Sequence, residues 1–483
     1  MRTFVCLLGL LAFALPVTPQ NRPTKSSYDE EKAPPSPPPL SPQLVRNLSN
    51  LRDAALGDDY ALRQVAYLCD NIGPRPTGSP QAQAAVEYVA SELKKLGLDV
   101  HLEETKVPHW QRGVETAELT EYPGQPRGTT QKIVLTALGG NTPTPDAGIS
   151  AEVVVVSNLE QLAALGRDRV AGKIVLFNEP YDKQKAAAGF WGEAYGEAVA
   201  YRGRGPKAAA ELGAVAALVR SVGGADFRIP HTGYSQPAGI PAGAVTSEDA
   251  DLISHLAAQG KLTMHMVLTS QNGPDVMSYN VIGDLKGSEH PEQVVIVSGH
   301  LDSWDLGTGA IDDAAGVAVA METAKLVQQL KLHPRRTIRV IAWMDEENGG
   351  RGHDAYAALH ASDMANHIAA IESDLGSDHP FGFAAKVNDR AIAALEPVKE
   401  ILRPMGANLI HQTEYSPGSD IAPLGKAGVP TLGILQDGRT YFNYHHTPAD
   451  TLDKVVPEYL RENAAAMAVM GYVLADMPDP LPR

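Results

Sequence analysis

The sequence predicts an α/β fold in which a mainly parallel central sheet carries helices on both faces and an inserted β-rich domain interrupts the chain. From about residue 279 onward, apolar runs typical of buried strands alternate with helices, as they do in parallel β-α units. Between about residues 115 and 269, short β-rich runs are separated by glycine, proline and aspartate instead. A length of 483 residues is sufficient for one large domain with an insert.

The N-terminal residues predict export. Residues 1–20 contain Arg2 and then an apolar run that is too short to span a bilayer and is typical of a secretory signal peptide. An uncleaved anchor is the alternative. Residues 21–43 are polar and rich in proline, so we expect an extended linker. The predicted location is therefore secreted or periplasmic, without stable membrane insertion.

Residues 44–114 are predicted to form the first part of the main domain. They contain a helix signal in which Ser79 is the N-cap, Pro80 takes the first helical position and Gly97 ends the helix. The apolar face of this helix is expected to contain Val86, Val89, Leu93 and Leu96.

Residues 115–274 are assigned to the insert and residues 275–483 to the second part of the main domain. The strand candidates of the insert are EVVVVS, GKIVLF, AVAALV, IPAGAV and LTMHMVLTS, and we find no cluster of metal-ligating side chains among them. In the second part the strand candidates are QVVIVS, TIRVIAWM, HIAAIES and VPTLGIL, followed by a final helix near residues 459–475.

Charged side chains follow four of these last strands at the point where each strand ends. The carboxyl ends of parallel strands share one edge of the sheet, where ligands bind, so we expect these side chains to lie close together. Gly307 and Gly309 allow a sharp turn that brings Asp312 to the same edge. The side chains at the strand ends are His300 and Asp302, then Asp345, Glu346 and Glu347, then Glu372 and Asp374, and finally His445 and His446.

This set of side chains indicates a metal site. Converging carboxylates repel one another unless a cation neutralises them. Two imidazoles with several carboxylates and no thiolate match zinc, with cobalt or manganese as substitutes. A shared carboxylate and few protein ligands per metal leave room for water, which is typical of hydrolytic sites. Because His300 and Asp302 are two apart on an extended chain, the Asp302 carboxylate is expected to accept the second N–H of the His300 ring.

The charge composition argues against a nucleic-acid partner. The formal net charge is −16, with 57 acidic and 41 basic residues, and no run dense in lysine or arginine occurs. Binding of nucleic-acid phosphates depends on clustered cations. The acidity is compatible with solubility and with cation binding, and does not choose between them.

Four segments in this order, SGHLDSWDLGTGAIDDAAG, WMDEENGG, ESDLG and HHTPADT, resemble the motifs of the co-catalytic dinuclear zinc aminopeptidases and carboxypeptidases. The resemblance implies the zinc-exopeptidase fold, which is phosphorylase/hydrolase-like, for the main domain. It makes the insert similar to a protease-associated domain, on the segments GKIVLFNEP and AAAELGAVAALV. It also implies short peptides, dipeptides above all, as substrates, and a homodimer as one assembly state.

The resemblance further implies a role for each site residue. Glu346 becomes the general base, which takes a proton from water and returns it to the leaving amine. Asp313 is left to cap the following helix. The implied ligands of two zinc ions per chain are Asp312 as the bridge, His300 and Asp374 on one ion, and Glu347 and His446 on the other.

Other side chains carry weaker predictions. Asp302 is expected to support His300, and His445 takes the place at which many relatives carry a tyrosine that stabilises an oxyanion; a structural histidine is the equal alternative. Asp420 either lines the substrate pocket or caps a helix. Arg351 and Arg439 are candidates for holding a substrate carboxylate, although we expect each to be a solvated surface cation.

The function implied is that of a zinc-dependent exopeptidase that hydrolyses short peptides. Two other classes remain open. One is a receptor or scaffold that keeps the peptidase fold without catalysis, and the other is an acyltransferase of the glutaminyl cyclase kind with a single zinc ion. The count of zinc ions per chain separates the acyltransferase from the hydrolase.

Overall fold

The computed structural model describes residues 40–483. The predicted signal peptide, residues 1–20, and most of the predicted linker, residues 21–43, lie outside the described residues. Among the described residues, none of the helices combines the length and the apolar character that a membrane crossing requires.

The strands fall into two sheets of eight strands each. In chain order they are β1 (Asp99–Gln111), β2 (Glu115–Glu121), β3 (Gln131–Ile133), β4 (Leu135–Ala137), β5 (Ile149–Val156), β6 (Ile174–Phe177), β7 (Ala216–Arg220), β8 (Ala242–Val245), β9 (Thr263–Leu268), β10 (Gln271–Leu285), β11 (His290–His300), β12 (Arg336–Trp343), β13 (His367–Glu372), β14 (Pro380–Lys386), β15 (Leu409–Gln412) and β16 (Thr431–Gln436).

The α-helices are α1 (Pro42–Leu56), α2 (Tyr60–Ala66), α3 (Pro80–Lys95), α4 (Leu159–Val170), α5 (Lys183–Ala187), α6 (Trp191–Glu211), α7 (Ser247–Ala257), α8 (Ala315–Gln329), α9 (Arg351–Leu359), α10 (Asp389–Leu395), α11 (Val398–Leu402), α12 (Ala422–Lys426), α13 (Tyr441–Tyr444) and α14 (Pro457–Asp476). The π-helical segments are Tyr67–Ile72 and Ala310–Ala314, and the 3₁₀ turns are Met364–Asn366, Arg403–Met405 and Leu452–Lys454.

Helix α3 follows its sequence signals closely. The Ser79 side chain accepts a hydrogen bond from the backbone N–H of Ala82, Pro80 opens the helix, and Gly97 just beyond the helix has a φ of 81°. The helix buries the apolar face that includes Val86 and Val89, as predicted.

The main sheet has the strand order β1-β10-β12-β11-β13-β16-β14-β15. Its four central strands, from β12 to β16 in that order, are parallel, whereas β1, β10 and β14 make antiparallel pairs toward the two edges. The predicted α/β class is therefore confirmed, but the parallel character belongs to the centre of the sheet. Parallel strands need helical crossovers that cover both faces, and antiparallel edge strands do not.

Both faces of the main sheet are buried. Val295 and Val297 of β11 point to a core that also contains α8 and α14, whereas Val294 and Ile296 point to a smaller core with Tyr356 of α9. This is why β11 reads as a continuous apolar run and not as an alternating one. The polar side chains that follow β11 therefore leave the core only at the edge of the sheet.

The second sheet is formed by residues 115–268, with the strand order β3-β2-β9-β5-β6-β7-β8-β4. It has two apolar cores of its own, one on each face. Strands β5 to β8 are parallel; α4 connects β5 to β6, and α5 and α6 connect β6 to β7. The expectation of a β-rich insert was therefore incomplete, because half of this sheet is built from β-α units.

Helix α6 is the main element of the second sheet that the sequence analysis does not predict. Its segment contains four glycines and Pro206, all of which lower intrinsic helix propensity. A side chain on Gly205 would lie 2.8 Å from the Phe177 ring of β6, so glycine permits close packing of this helix on its sheet. Tertiary packing therefore outweighs a weak local propensity here.

Candidate active site

The charged side chains predicted at the strand ends meet at one edge of the main sheet. His300 is the last residue of β11, and Asp312 lies in the π-helical segment before α8. The other side chains come from the loops that follow β12, β13 and α13: Glu346, Glu347, Asp374, His445 and His446. Adjacent parallel strands thus supply ligands that are far apart in the sequence.

Asp312 lies between two imidazoles. Its Oδ1 atom is 3.1 Å from His300 Nε2, and its Oδ2 atom is 3.3 Å from His446 Nε2. On one side, Asp374 Oδ1 lies 3.3 Å from His300 Nε2. On the other side, Glu347 Oε2 lies 3.0 Å from His446 Nε2. The two oxygens of Asp312 therefore face two separate groups of nitrogen and oxygen atoms.

These distances are compatible with metal coordination. Ligand atoms that bind zinc at about 2.0–2.2 Å in a tetrahedron lie about 3.3–3.5 Å from one another. The ligand atoms of His300, Asp312 and Asp374 all lie within 4.8 Å of one another, which is compact enough for one ion. Glu347 Oε1 is buried without a hydrogen-bond partner among the described residues, as expected for an atom left for a metal.

The charges of the site depend on one another. Burial lowers the pKa of His300, but the carboxylates of Asp374 and Asp312 outweigh it and raise this pKa well above the usual value. His446 behaves in the same way: burial opposes protonation, while Glu347 and Asp312 raise its pKa to about 9. The carboxylates thus favour positive charge at this position, which a bound cation can supply.

Glu346 makes none of these close contacts, although it lies at the same edge. It lines a cavity of about 410 Å³ together with Asp312, Glu347, Asp374 and His446. Burial, followed by the nearby Asp374, Glu347 and Asp312 carboxylates, raises its pKa well above the usual value, against the opposing effect of His300. A carboxylate of raised pKa that faces a cavity can exchange protons with a bound molecule.

Comparisons with known proteins place the chain in one family. Residues 280–470 match peptidase family M28. Carboxypeptidase Q from Bos taurus is 37% identical over 91% of this chain and 90% of its own length, and Carboxypeptidase Q from Xenopus laevis is 39% identical over 91% of each. The chain belongs to peptidase family M28.

A solved structure supports the same assignment. The crystal structure of a peptidase M28 precursor from Shewanella amazonensis has a TM-score of 0.86 and 35% identity, and the match covers 91% of this chain and 98% of that one. A zinc aminopeptidase from Bacillus subtilis, at 20% identity and a TM-score of 0.63, shows the shared fold alone.

As a member of family M28, the chain is a metallo-exopeptidase, a hydrolase of peptide bonds. The prediction of a zinc-dependent exopeptidase is confirmed, and so is the resemblance to the zinc aminopeptidases and carboxypeptidases.

In this M28 site, Asp302 supports His300 differently from the prediction. The main-chain carbonyl of Asp302 accepts from His300 Nδ1 at 2.9 Å, whereas the nearest carboxylate oxygen of Asp302 is 3.9 Å away. The Asp302 carboxylate accepts instead from the backbone N–H groups of Asp345, Glu346 and Glu347. The predicted hydrogen bond from the His300 ring to the Asp302 carboxylate was therefore wrong. That carboxylate instead accepts hydrogen bonds from the backbone of the loop after β12.

His445 stacks on His446, with ring centroids 3.5 Å apart. Its Nε2 atom lies 3.5 Å from Asp312 Oδ2, and the ligand atoms of these three residues lie within 4.8 Å of one another. Burial and the adjacent His446 lower the pKa of His445 well below the usual value, which favours the neutral ring. Support of an oxyanion by His445 stays a prediction.

Asp420 does not line the cavity, in contrast to one of the two predictions for it. It is 1% exposed, and one of its carboxylate oxygens lies 3.1 Å from His353 Nδ1. Its backbone N–H points to Glu372 at 3.4 Å, and the neighbouring Ser419 lines the cavity. Asp420 is therefore one layer behind the cavity wall.

Asp313 carries the structural role that was expected of it. One carboxylate oxygen accepts from the backbone N–H of Gly316 at 2.9 Å, in the first turn of α8. The other accepts from the backbone N–H of His300 at 3.0 Å. Asp313 thus joins the start of α8 to the end of β11, which positions Asp312 between them.

Sequence reasoning missed the contribution of the second sheet. Trp191, Tyr195 and Arg202 of α6, together with Tyr234, line the cavity beside the metal-site residues. The backbone carbonyl of Thr232 lies 3.3 Å from His446 Nδ1 and can fix the tautomer of that ring. These residues sit in a helix and a loop without a ligand motif, so no pattern in the sequence marks them.

Proposed function

We propose that this exopeptidase uses two zinc ions per chain to hydrolyse dipeptides. In this proposal Asp312 bridges the two ions. The remaining ligands are His300 and Asp374 on one ion, and Glu347 and His446 on the other. The single observation that carries the proposal is the position of Asp312, whose two oxygens lie 3.1 Å from His300 Nε2 and 3.3 Å from His446 Nε2. Each of these imidazoles is also paired with another carboxylate, at 3.3 Å and 3.0 Å.

Each group then has a defined task. Zinc bound at this site would polarise the scissile carbonyl and lower the pKa of a water molecule, so that hydrolysis proceeds near neutral pH. Glu346 accepts a proton from the attacking water and returns it to the leaving amine, for which its raised pKa is suited. The Asp302 carboxylate holds the loop of Glu346 in place through backbone hydrogen bonds.

The size of the cavity supports short substrates. Its volume of about 410 Å³ lies at the lower end of the roughly 300–1,000 Å³ of small-molecule sites. Side chains of α6 form part of the wall, so a long peptide would meet this helix. The curated relatives named Carboxypeptidase Q support an exopeptidase that acts at the end of a peptide.

The remaining parts of the proposal concern the whole chain. We assign residues 115–274 to a protease-associated-like insert between two parts of the catalytic domain, residues 44–114 and 275–483; the separate second sheet supports this division. The apolar run in residues 1–20 supports secretion or export to the periplasm. A homodimer is the proposed assembly.

One experiment tests the function directly. The purified mature protein is analysed for metal content and then assayed on free, N-acetylated and C-amidated dipeptides. We expect about two zinc ions per chain, hydrolysis of the free dipeptides, and loss of that hydrolysis on chelation, with recovery on adding zinc. One zinc ion and cyclisation of N-terminal glutamine would favour the acyltransferase class, and bound zinc without any turnover would favour a scaffold.

A further inference from the structure

We propose that Arg202 binds the free C-terminal carboxylate of the substrate. This inference rests on the proposed dipeptidase function and deepens it, because it states which end of the dipeptide the site recognises. Arg202 lies on α6, in the second sheet, and reaches the cavity wall next to His446. It is 7% exposed, so its charge is largely removed from bulk water.

The guanidinium of Arg202 is poorly satisfied. Its Nη1 atom donates to the Thr232 carbonyl at 3.3 Å, and the same atom lies 3.4 Å from His446 Nδ1. Its Nε atom is buried and has no hydrogen-bond partner among the described residues. The ring of Tyr195 lies nearby, with its centroid 5.8 Å from the guanidinium carbon. Of the five N–H donors of an arginine, the one on Nε of Arg202 is thus left without a partner among the described residues.

Other arginines of the chain that are buried or largely buried have their donors paired with carboxylates or carbonyls. Arg112 binds both oxygens of Asp305, and Arg339 binds both oxygens of Asp284. Arg75, which is fully buried, donates to four backbone carbonyls. Within residues 40–483, by contrast, no carboxylate lies within 4.0 Å of a nitrogen of Arg202.

A buried, unpaired guanidinium is costly unless a ligand supplies an anion. A carboxylate is the anion that matches its planar fork of donors, through two parallel hydrogen bonds. The other charged or titratable side chains that line the cavity are mainly carboxylates and imidazoles, and the carboxylates repel a further carboxylate. Arg202 is therefore the group on this wall that is suited to the free carboxylate of a peptide.

The position of Arg202 also determines which bond is presented for cleavage. In a dipeptide the C-terminal carboxylate and the nitrogen of the single peptide bond are attached to the same Cα atom. Successive Cα atoms are only about 3.8 Å apart, so the carboxylate and the scissile bond lie close together. Because Arg202 contacts His446, a carboxylate bound there places that bond beside Asp312 and His446. A longer peptide bound through the same carboxylate would be cut at its last bond only.

The test compares free and amidated substrates in matched variants. The zinc-loaded full protein and its Arg202→Gln and Arg202→Lys variants are assayed on Ala-Ala and Leu-Leu and on the C-terminal amides of both. Arg204→Gln is the control, because Arg204 lies on the same helix but is exposed. Zinc content and thermal unfolding are measured for every variant, so that a folding defect is recognised.

We expect Arg202→Gln to lower kcat/KM on the free dipeptides by about 10- to 100-fold, the value of a charge-assisted hydrogen-bonded pair, mainly through KM. Its activity on the amides should change little, so that the preference for free dipeptides disappears. Arg202→Lys should retain part of the preference, since it keeps the charge and loses the fork. Arg204→Gln should behave as the wild type.

Two results would overturn the role of Arg202. An equal loss of kcat on free and amidated substrates would show that Arg202 acts through His446, and an unchanged preference in Arg202→Gln would show that it contacts no carboxylate. If the zinc-loaded wild type hydrolyses no dipeptide, the proposed function fails on its own. Calorimetric binding of Ala-Ala and Ala-Ala-amide to wild type and Arg202→Gln would then still decide whether Arg202 recognises the carboxylate.

Discussion

The two sheets of this exopeptidase contribute to the site in different ways. The main sheet brings every proposed metal ligand to one edge, where four neighbouring parallel strands end. The second sheet contributes no proposed ligand; it supplies instead a wall of aromatic rings, the Arg202 guanidinium and the Thr232 carbonyl. In the proposed function, the main sheet therefore positions the groups that carry out hydrolysis, and the second sheet supplies groups that select the substrate.

The contact between the sheets includes a specific polar connection as well as aromatic packing. Arg112, between β1 and β2, binds Asp305 of the loop after β11, with distances of 2.6 and 2.7 Å. Arg112 also donates to Glu115 at 2.6 Å. The point at which the chain enters the second sheet is therefore tied to the loop that follows His300. Four predictions test the separate contributions of the two sheets, in order from the largest expected effect to the smallest.

The largest effect is expected from Glu346→Gln, which removes the proposed general base and leaves every proposed metal ligand unchanged. Loss of a general base costs about 10²–10⁴-fold in rate, so kcat should fall by that factor while zinc content stays at the wild-type level. Glu414→Gln, at an exposed position, is the matched control. Turnover near the wild-type rate would remove Glu346 from the proposed mechanism.

Removal of a proposed ligand should act on metal content. In Glu347→Gln the neighbouring His446 loses the carboxylate 3.0 Å from its Nε2 atom, and we expect zinc to fall from about two to about one per chain. Metal analysis after dialysis gives the stoichiometry directly. Two zinc ions retained in this variant at wild-type affinity would contradict the assignment of Glu347.

The connection between the sheets is tested by Arg112→Met. Arg112, Asp305 and Glu115 are largely buried, with side chains 12%, 19% and 14% exposed. Removal of Arg112 leaves the two carboxylates uncompensated and is expected to cost up to about 3–5 kcal/mol in the free energy of unfolding. Urea denaturation measures this loss. Lys261→Met, which breaks the exposed pair with Glu121 in the second sheet, should leave stability almost unchanged. Equal effects of both variants would argue against a special role for the connection.

The smallest effect concerns a buried acid of the main sheet that lies away from the site. Burial raises the pKa of Glu322 on α8 from 4.5 to about 7. The folded state thus favours the protonated form, and its stabilising contribution is full below about pH 4.5 and is lost as pH rises through about 7. The maximum loss is roughly 3 kcal/mol.

Glu322→Gln should remove this pH dependence, because a neutral amide replaces the acid in both states. Its oxygen can still accept from the backbone N–H of Ala61, as Glu322 does at 3.0 Å. The difference in unfolding free energy between variant and wild type, measured in urea at pH 5 and pH 8, should shift in favour of the variant at pH 8. A difference that is the same at both pH values, as expected for the exposed control Glu87→Gln, would refute the shifted pKa.

Much of the main sheet was predictable, for a physical reason. Strands buried on both faces need continuous apolar runs, and β11, β12, β13 and β16 all carry them. Charged residues directly after such runs must lie at the sheet edge, so His300, Glu347 and Asp374 could be placed there from the sequence. The antiparallel pairing of the edge strands and the hydrogen bonds of the Asp302 carboxylate were not predicted. Each depends on which strand or loop lies next to it in the folded chain.

The sequence by itself determined the α/β class, the edge at which polar groups gather and the donor set that suits zinc, because periodicity and side-chain chemistry are local properties. Only the tertiary structure decided that α6 forms despite its glycines and proline, and that Arg202 lies against His446, 244 residues away. Contacts between distant segments depend on how two sheets pack together, and no local pattern encodes that packing.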